Sequence, residues 1–198
     1  DWIVYYVMEF VPGPTLKHHL SRVRRASLSD TLRIATDMLD ALGYAHAQGI
    51  VHRDVKPENI VLSPPGAVLL DFGIAKAVAV SGTDRLTRSG FAVGTSAYMS
   101  PEQVAGSEDI DYRSDLYSLA CVLFEALAGR PPFEDPFEDL VLKMHQQNRA
   151  PDVRTLREEV QGALAEWIDK ALAKAPADRW QSAPEMQAAL PPPEAVSH

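Results

Sequence analysis

The segment HRDVKPEN at residues 52–59, followed eleven residues later by DFG at residues 71–73, decides how this chain is interpreted. Residues 60–70 between the two segments contain two short apolar runs on either side of Pro-Pro-Gly, a pattern that predicts a β-hairpin. The hairpin places Asn59 and Asp71 at the open ends of its two strands, facing each other. Their side-chain oxygens make this region the candidate chemical centre of the chain.

The composition is that of a single globular domain. The chain has 198 residues, of which 46% are hydrophobic, enough for one sizeable core. A formal net charge of −8 argues against nucleic-acid binding, which depends on clustered Lys and Arg. The single cysteine, Cys121, excludes an internal disulfide, which suits a reducing compartment without proving one, and we expect it to be a small buried side chain. The expected location of the domain is cytoplasmic. No apolar run approaches the roughly 18 residues of a membrane-spanning helix, and the sequence leaves open an anchor elsewhere in a parent protein.

Hydrophobic residues at helical spacing predict a mainly helical chain. A short helix is expected from about Thr15, with Val23 on its apolar face and the basic cluster Arg22 to Arg25 in solvent. Ser29 is a candidate N-cap for a longer helix that ends near Gly49. Further helices are predicted at residues 114–128, 137–147, 160–173 and 183–190.

Two of these regions stand out by composition. Residues 114–128 are apolar on nearly every face, which predicts a helix buried at the centre of the domain. Residues 73–100 are rich in Ser, Thr, Gly and Arg and show little periodicity, as is typical of a long functional loop.

The beginning of the chain is predicted to be a strand. Residues 3–8 are β-branched and aromatic, and Pro-Gly-Pro follows them closely. The chain has neither an initiator Met nor a signal-peptide pattern, so we expect it to be part of a longer protein. In isolation the strand would expose an apolar edge, which predicts self-association through residues 3–8.

Several motifs occur in an order and spacing that is more specific than any one of them. After the HRD and DFG motifs come Gly94-Thr95, Ser100-Pro101-Glu102, Asp115 and Asp178-Arg179. Together they resemble a protein kinase domain, and Ser100 and Tyr117 make the chain similar to the bacterial, eukaryotic-like Ser/Thr protein kinases. The resemblance covers essentially the whole chain.

The resemblance implies a protein-kinase-like C-terminal lobe plus hinge, mainly α-helical with small β-hairpins. The β-rich N-terminal lobe of such kinases is absent from this chain. The resemblance predicts a partial kinase domain over residues 1–190 and a frayed tail over residues 191–198. Within the domain it assigns a hinge at 8–14, a catalytic loop at 52–59, an activation segment at 71–102 and a helical subdomain at 114–190.

The resemblance gives Asp54 the role of catalytic base, which accepts the hydrogen bond of a substrate hydroxyl. Lys56 would neutralise charge on the transferred phosphoryl group, and Thr95 would bridge Asp54 and Lys56 and help to select Ser or Thr acceptors. Asn59, also counted among the catalytic residues, and Asp71 would be the Mg²⁺ ligands. Taken alone, residues of these types are common in turns and on surfaces.

ATP is expected to bind at the hinge. Met8 would be the gatekeeper, Glu9 and Val11 would present backbone groups to the adenine edge, and Val61 would form an apolar floor under the base. A strand followed by Pro-Gly-Pro is not by itself specific to a kinase hinge, because this combination ends strands in many folds. The predicted ATP-binding residues are Met8, Glu9, Val11, Lys56, Glu58, Asn59, Val61 and Asp71.

Arg53 precedes the catalytic base, a feature of kinases whose activation segment is ordered when a phosphorylated residue pairs with that arginine. Thr87 and Ser89, followed by Thr83, are the candidate phosphosites, although solvated loop hydroxyls are common.

Other motif residues are expected to hold the domain together. Glu102 and Arg179 would form a buried ion pair, and Asp115 would bond the backbone of the catalytic loop. The predicted structural residues are His52, Phe72, Gly73, Glu102, Asp115 and Arg179.

The function implied by the resemblance is a Ser/Thr protein kinase that uses ATP and Mg²⁺ to phosphorylate protein substrates. These 198 residues contain no Gly-rich phosphate loop, strand lysine or helix glutamate of a small lobe. We therefore expect little activity from them in isolation, and we expect their partner to be a small lobe in the parent protein. The alternative is a half-kinase that binds a partner without catalysis. A Mg²⁺-dependent hydrolase would need a further water-activating base, which the sequence does not offer.

Overall fold

The structure, a computed structural model, describes residues 9–72 and 95–192, and for Thr95 the backbone alone. Helices dominate these residues, and their two strands form one antiparallel hairpin, as predicted. The predicted strand at residues 3–8 and most of the long loop at 73–100 lie outside the described residues. The helices and strands are α1 (Leu16–Val23), α2 (Leu28–Ala47), β1 (Ile60–Ser63), β2 (Gly66–Leu69), α3 (Pro101–Val104), α4 (Arg113–Ala128), α5 (Glu138–Gln147), α6 (Gly162–Ala171) and α7 (Ala183–Ala188).

The central element of the fold is α4, in which every residue from Ser114 to Ala128 is buried. A helix that is surrounded on all sides has no polar face, and this property confirms the prediction of a central helix. The helix ends at Gly129, whose left-handed φ of 81° suits glycine. A Cβ at this position would lie 3.1 Å from the carbonyl oxygen of Arg24, so a larger residue would also crowd the neighbouring chain.

Two arginines satisfy carbonyl groups at the C-terminal end of α4. Arg25 donates from Nε to the carbonyl oxygen of Ala128 at 3.1 Å, and Arg157 donates from Nη1 to that of Leu127 at 3.5 Å. Guanidinium groups suit this position because the last carbonyls of a helix lack partners within it and carry partial negative charge. The cluster at residues 22–25 is exposed, in agreement with the prediction, but Arg25 also has this structural role.

The hairpin brings the candidate chemical residues together. Its register pairs Ile60 with Leu69, and beyond the strands the amide of Leu70 donates to the carbonyl oxygen of Asn59 at 2.8 Å. Pairing therefore continues up to the residue before Asp71, and the two predicted metal ligands come from neighbouring strand ends.

Two details of the first helices differ from the prediction. The N-cap of α2 is Ser27, which accepts a hydrogen bond from the amide of Asp30 at 2.9 Å. The prediction of Ser29 was wrong because both serines satisfy the N-cap preference, and the extended backbone of Ser27 selects between them. Val23 is 47% exposed and does not contribute to an apolar face, because α1 ends at this residue.

The later helices begin and end within two residues of the predicted boundaries, whereas α3 was not predicted. Ser100 caps α3 by accepting from the amide of Gln103, and the Gln103 side chain accepts in return from the amide of Ser100. The sequence Ser-Pro-Glu-Gln carries this capping-box signature, so α3 could have been found.

Candidate active site

The carboxylate of Asp54 lies in the loop between α2 and β1, where two side chains of the same loop hold it. The ammonium group of Lys56 is 2.8 Å from Asp54 Oδ2, and Asn59 donates from Nδ2 to the same oxygen at 3.1 Å. Asn59 Nδ2 also donates to the backbone carbonyl of Asp54 at 2.8 Å. The Asp54 side chain remains 30% exposed, so a hydroxyl group can reach the carboxylate from outside.

The backbone of this loop is fixed by Asp115, near the start of α4. Asp115 Oδ2 accepts from the amide of His52 at 2.8 Å, and Oδ1 accepts from the amide of Arg53 at 2.7 Å. His46, near the end of α2, lies with Nε2 2.8 Å from Asp115 Oδ2. Arg53 has a φ of 68°, which is unfavourable for an arginine, and the bonds to Asp115 stabilise that conformation. The central helix therefore determines the backbone that presents Asp54.

His52 connects the loop to the hairpin. Its Nε2 lies 2.8 Å from the carbonyl oxygen of Leu70, and its Nδ1 accepts from the amide of Asp54 at 3.2 Å. A carbonyl only accepts, so the proton is assigned to Nε2 and the lone pair to Nδ1. The ring also packs edge-on against Phe72 with 4.7 Å between centroids. His52 thus acts through packing and backbone contacts.

Asn59 and Asp71 offer the oxygen atoms that a divalent cation would use. Both side-chain hydrogen bonds of Asn59 are donated by Nδ2, which leaves Oδ1 as the ligand atom. Asp71 has a φ of 62°, which aspartate tolerates better than most residues. Few protein ligands suffice for Mg²⁺ when phosphate oxygens and waters complete its octahedron. The pair fits this cation, although the described residues contain no group of three or more His, Cys, Asp or Glu side chains that could hold a metal.

A buried ion pair connects α3 to the segment after α6. Arg179 donates to both carboxylate oxygens of Glu102, at 2.7 and 2.8 Å, and Ser114 donates to Glu102 Oε1 at 2.5 Å. Burial acts to raise the pKa of Glu102, but the hydrogen bonds from Arg179 and Ser114 outweigh it and lower the pKa below its usual value. Glu102 is therefore ionised at neutral pH, and α3 is fixed against the start of α4.

One contact that the sequence did not predict joins α3 to the catalytic loop. Gln103 donates from Nε2 to the carbonyl oxygen of Arg53 at 2.8 Å. The oxygen of the same side chain, Oε1, accepts the capping-box hydrogen bond from the backbone amide of Ser100. The capping-box signature marks Gln103 as an N3 residue but contains no signal for the bond to Arg53.

A second contact that the sequence did not predict is an acidic pair bridged by a lysine. Lys17 Nζ, on α1, lies 3.9 Å from Glu58 in the catalytic loop and 3.5 Å from Glu125 on α4. The hydroxyl of Tyr98 donates to the other oxygen of Glu125, and burial together with Glu125 raises the pKa of Tyr98. Lys17 and Glu125 are 108 positions apart, and no local pattern relates them.

The structure describes only some of the remaining predicted site residues. Val61 is buried in β1, and Glu9 and Val11 precede α1. Thr95 begins a short 3-10 helix, Thr95–Tyr98. Other predicted residues lie outside the described part of the chain, namely Met8, Gly73, Thr83, Thr87 and Ser89.

Comparison with known proteins identifies the family to which the chain belongs. Residues 2–190 match the protein kinase domain family. The chain is 41% identical over 187 residues to serine/threonine-protein kinase PknB of Mycobacterium tuberculosis. It is 42% identical over 188 residues to the probable serine/threonine-protein kinase SCO3848 of Streptomyces coelicolor, and 38% over 183 residues to the probable serine/threonine-protein kinase PknB of Lactococcus lactis. The chain belongs to the protein kinase domain family.

These matches cover 94%, 93% and 92% of this chain but 30%, 27% and 28% of the respective relatives. The chain therefore spans less than a third of the length of these relatives. Within the described residues, none of the helices is both long enough and apolar enough to cross a membrane.

Proposed function

We propose that this chain carries the catalytic loop of a Ser/Thr protein kinase, which transfers the γ-phosphoryl group of ATP to hydroxyl groups of protein substrates. The observation that carries the proposal is the Asp54 carboxylate, which is partly exposed and is held by Lys56 at 2.8 Å and Asn59 at 3.1 Å. The names of the relatives, which are serine/threonine-protein kinases, support the same reaction.

In the proposed reaction a substrate Ser or Thr oxygen attacks the γ-phosphorus, the bond from this phosphorus to the β–γ bridging oxygen breaks, and ADP leaves. Asp54 accepts the hydrogen bond of the attacking hydroxyl, orients it, and receives its proton as the new P–O bond forms. Lys56 stabilises negative charge on the transferred group. Thr95 is assigned to acceptor selection by its place in the motif.

Asn59 and Asp71 would hold Mg²⁺, which neutralises charge on the phosphates when it is bound. The pairing of Leu70 with Asn59 across the hairpin keeps these two side chains at neighbouring strand ends. The adenine is assigned to Met8, Glu9, Val11 and Val61, and Glu58 completes the proposed nucleotide site.

Regulation by phosphorylation is part of the same proposal. Arg53 would pair with a phosphate on Thr87, Ser89 or Thr83. The guanidinium of Arg53 donates to the carbonyl oxygen of Ile110 at 3.4 Å, a long bond that a phosphate could replace without a large loss.

The 198 residues alone are expected to transfer phosphate very slowly. They contain neither a Gly-rich phosphate loop nor the strand lysine and helix glutamate that act with it. Much of the electrostatic stabilisation of the phosphates in kinases comes from those groups, so activity requires a small lobe supplied by a longer polypeptide.

The test compares the chain alone, the chain fused at its N-terminus to the small lobe of its relative PknB, and the same fusion carrying Asp54→Asn. Each protein is incubated with Mg-ATP and a generic protein substrate, and phosphate is mapped by mass spectrometry. We expect transfer by the fusion and a loss of about 100-fold or more in the variant. The fusion carrying Asp139→Asn, an exposed carboxylate on α5 with no contact to the catalytic loop in the described residues, is the matched control and should retain activity.

The alternative, a half-kinase that binds a partner without catalysis, makes the opposite prediction. A fusion that folds and binds Mg-ATP but transfers no phosphate to substrate or to itself would contradict the kinase proposal and favour this alternative.

A further inference from the structure

A cavity of about 340 Å³ lies between α4, α6 and the segment at residues 149–154 that follows α5. Its volume falls at the lower end of the range for small-molecule sites. None of its twelve lining residues belongs to the proposed active site. The floor is made of buried apolar side chains, namely Phe124, Val153, Ala165, Ile168 and Leu172.

The rim of the cavity carries both signs of charge, and its two arginines are already paired. Arg149 lies 2.7 Å from Asp169, which connects the 149–154 segment to α6 across the cavity mouth. Arg154 donates from Nε and Nη2 to both oxygens of Asp152, at 3.0, 3.0 and 2.6 Å. The hydrogen bond from Arg154 also lowers the pKa of Asp152, so this pair is ionised at neutral pH.

Glu166 is the remaining charge on the rim. It is exposed on α6, and it forms no ion pair within 4 Å with any cation in the described residues, although Arg154 feels its charge at longer range. Two arginines and three carboxylates give the rim a net charge of −1. The site therefore combines an apolar floor with one carboxylate that has no close cationic partner.

We propose that this cavity binds a small organic amine whose apolar body lies on the floor and whose ammonium group pairs with Glu166. An ammonium suits the site because it adds a cation where the rim has an excess negative charge. A carboxylate of the same shape is disfavoured, because it would meet Glu166 and would have to displace Asp152 or Asp169 from its arginine. This proposal does not depend on the proposed kinase reaction, because it involves neither Asp54 nor the nucleotide.

The first test uses 2-phenylethylamine as the probe, with 2-phenylethanol and 3-phenylpropionate as neutral and anionic compounds of similar shape. Binding to the 198-residue chain is followed by amide NMR shifts in residues 149–154 and 162–171. We expect saturable shifts there for the amine, with a millimolar Kd because so small a ligand has few contacts. The alcohol should bind more weakly, and the carboxylate should not saturate over the same range.

Two variants separate the charge from the apolar floor. Glu166→Gln should weaken amine binding by about threefold to fivefold, as for a partly exposed ion pair, and should leave alcohol binding unchanged. Glu138→Gln, an exposed carboxylate outside the cavity, is the matched control and should change neither. Ala165→Leu should abolish binding of both the amine and the alcohol, because the larger side chain occupies the space above the apolar floor.

Three results would overturn the proposal. The first is the absence of saturable shifts in the cavity residues, and the second is equal binding of the amine and the carboxylate. The third is equal amine affinity in the native chain and in Glu166→Gln. If Ala165→Leu fails to fold, the Glu166→Gln comparison still decides, because Glu166 lies on the surface.

Discussion

Replacing Arg179 by Leu should destabilise the fold by about 3 to 5 kcal/mol, the cost of breaking one half of a buried ion pair. The Arg179 side chain has no exposed surface, and that of Glu102 is 11% exposed. The guanidinium makes five hydrogen bonds, of which two go to Glu102 and three to the carbonyl oxygens of Arg113, Ala173 and Lys174. The Leu variant leaves a buried carboxylate and three carbonyls without these donors, so we expect the upper part of the range.

The reverse change, Glu102→Gln, should cost less. Arg179 keeps its three carbonyl partners, and Ser114 can still donate to the remaining oxygen of residue 102. The double variant should cost less than the sum of the two single changes, because the second substitution removes a charge that the first has left unpaired.

Urea unfolding at pH 7, followed by circular dichroism, measures these free energies by linear extrapolation. Arg149→Leu is the matched control, because Arg149 lies at the same 2.7 Å from its carboxylate but is 83% exposed. Its unfolding midpoint should stay within error of the native value, since exposed pairs contribute little.

The pH dependence gives an independent check on the same pair. The folded pKa of Glu102 lies below its usual value, so its contribution to stability is present above that usual value and is lost as pH falls through the folded pKa. The difference between native protein and Glu102→Gln should therefore shrink in acid. Equal midpoint shifts for Arg179→Leu and Arg149→Leu, or strictly additive effects in the double variant, would refute the reasoning.

Four further predictions concern the catalytic loop, the basic side chains of His145 and Lys174, and the predicted strand at residues 3–8. Asp115→Asn should lower kcat of the small-lobe fusion by about tenfold or more with a smaller change in KM. The reason is that an Asn side chain has one accepting oxygen for the two backbone N–H groups of the loop. An unchanged kcat would contradict this role. Burial and Lys174 lower the pKa of His145 to about 4, so the unfolded state binds more protons than the folded state between pH 4 and 6.5. The free energy of unfolding should therefore fall as pH falls through that range. His145→Gln should flatten the profile of unfolding free energy against pH. Burial lowers the pKa of Lys174 to about 8, so stability should rise from pH 8 to 10.5, and an equal rise in Lys174→Met would count against this. Light scattering should show self-association of the 198-residue chain, whereas a monomer with amides 3–8 protected from hydrogen exchange would argue against an exposed strand edge.

Much of the fold could be predicted from local patterns in the sequence. The central helix was identifiable because residues 114–128 are apolar all round, and the hairpin because Pro-Pro-Gly separates two short apolar runs. The cap of α2 was misplaced because Ser27 and Ser29 have the same chemical preference. The choice between them depends on the backbone entering the helix, which a residue type does not encode.

The candidate site also has a part that the sequence predicts and a part that it does not. The positions of Asp54 and Asn59 follow from one contiguous motif, and their contacts are local. The contacts of Lys17 with Glu58 and Glu125 depend on how α1 packs against residues 57–63 and brings Lys17 within reach of α4. No periodicity or motif in the sequence indicates contacts between residues so far apart, so only the structure shows them.

The most direct test of the central claim is single-turnover phosphoryl transfer by the small-lobe fusion, native and Asp54→Asn, with Mg-ATP affinity measured in parallel. Asp54 is proposed to contact the attacking hydroxyl and not the nucleotide, so the substitution should slow transfer by about 10² to 10⁴-fold and leave Mg-ATP affinity unchanged. A native transfer rate in the variant, or a loss explained entirely by weaker Mg-ATP binding, would contradict the role of Asp54 as the catalytic base.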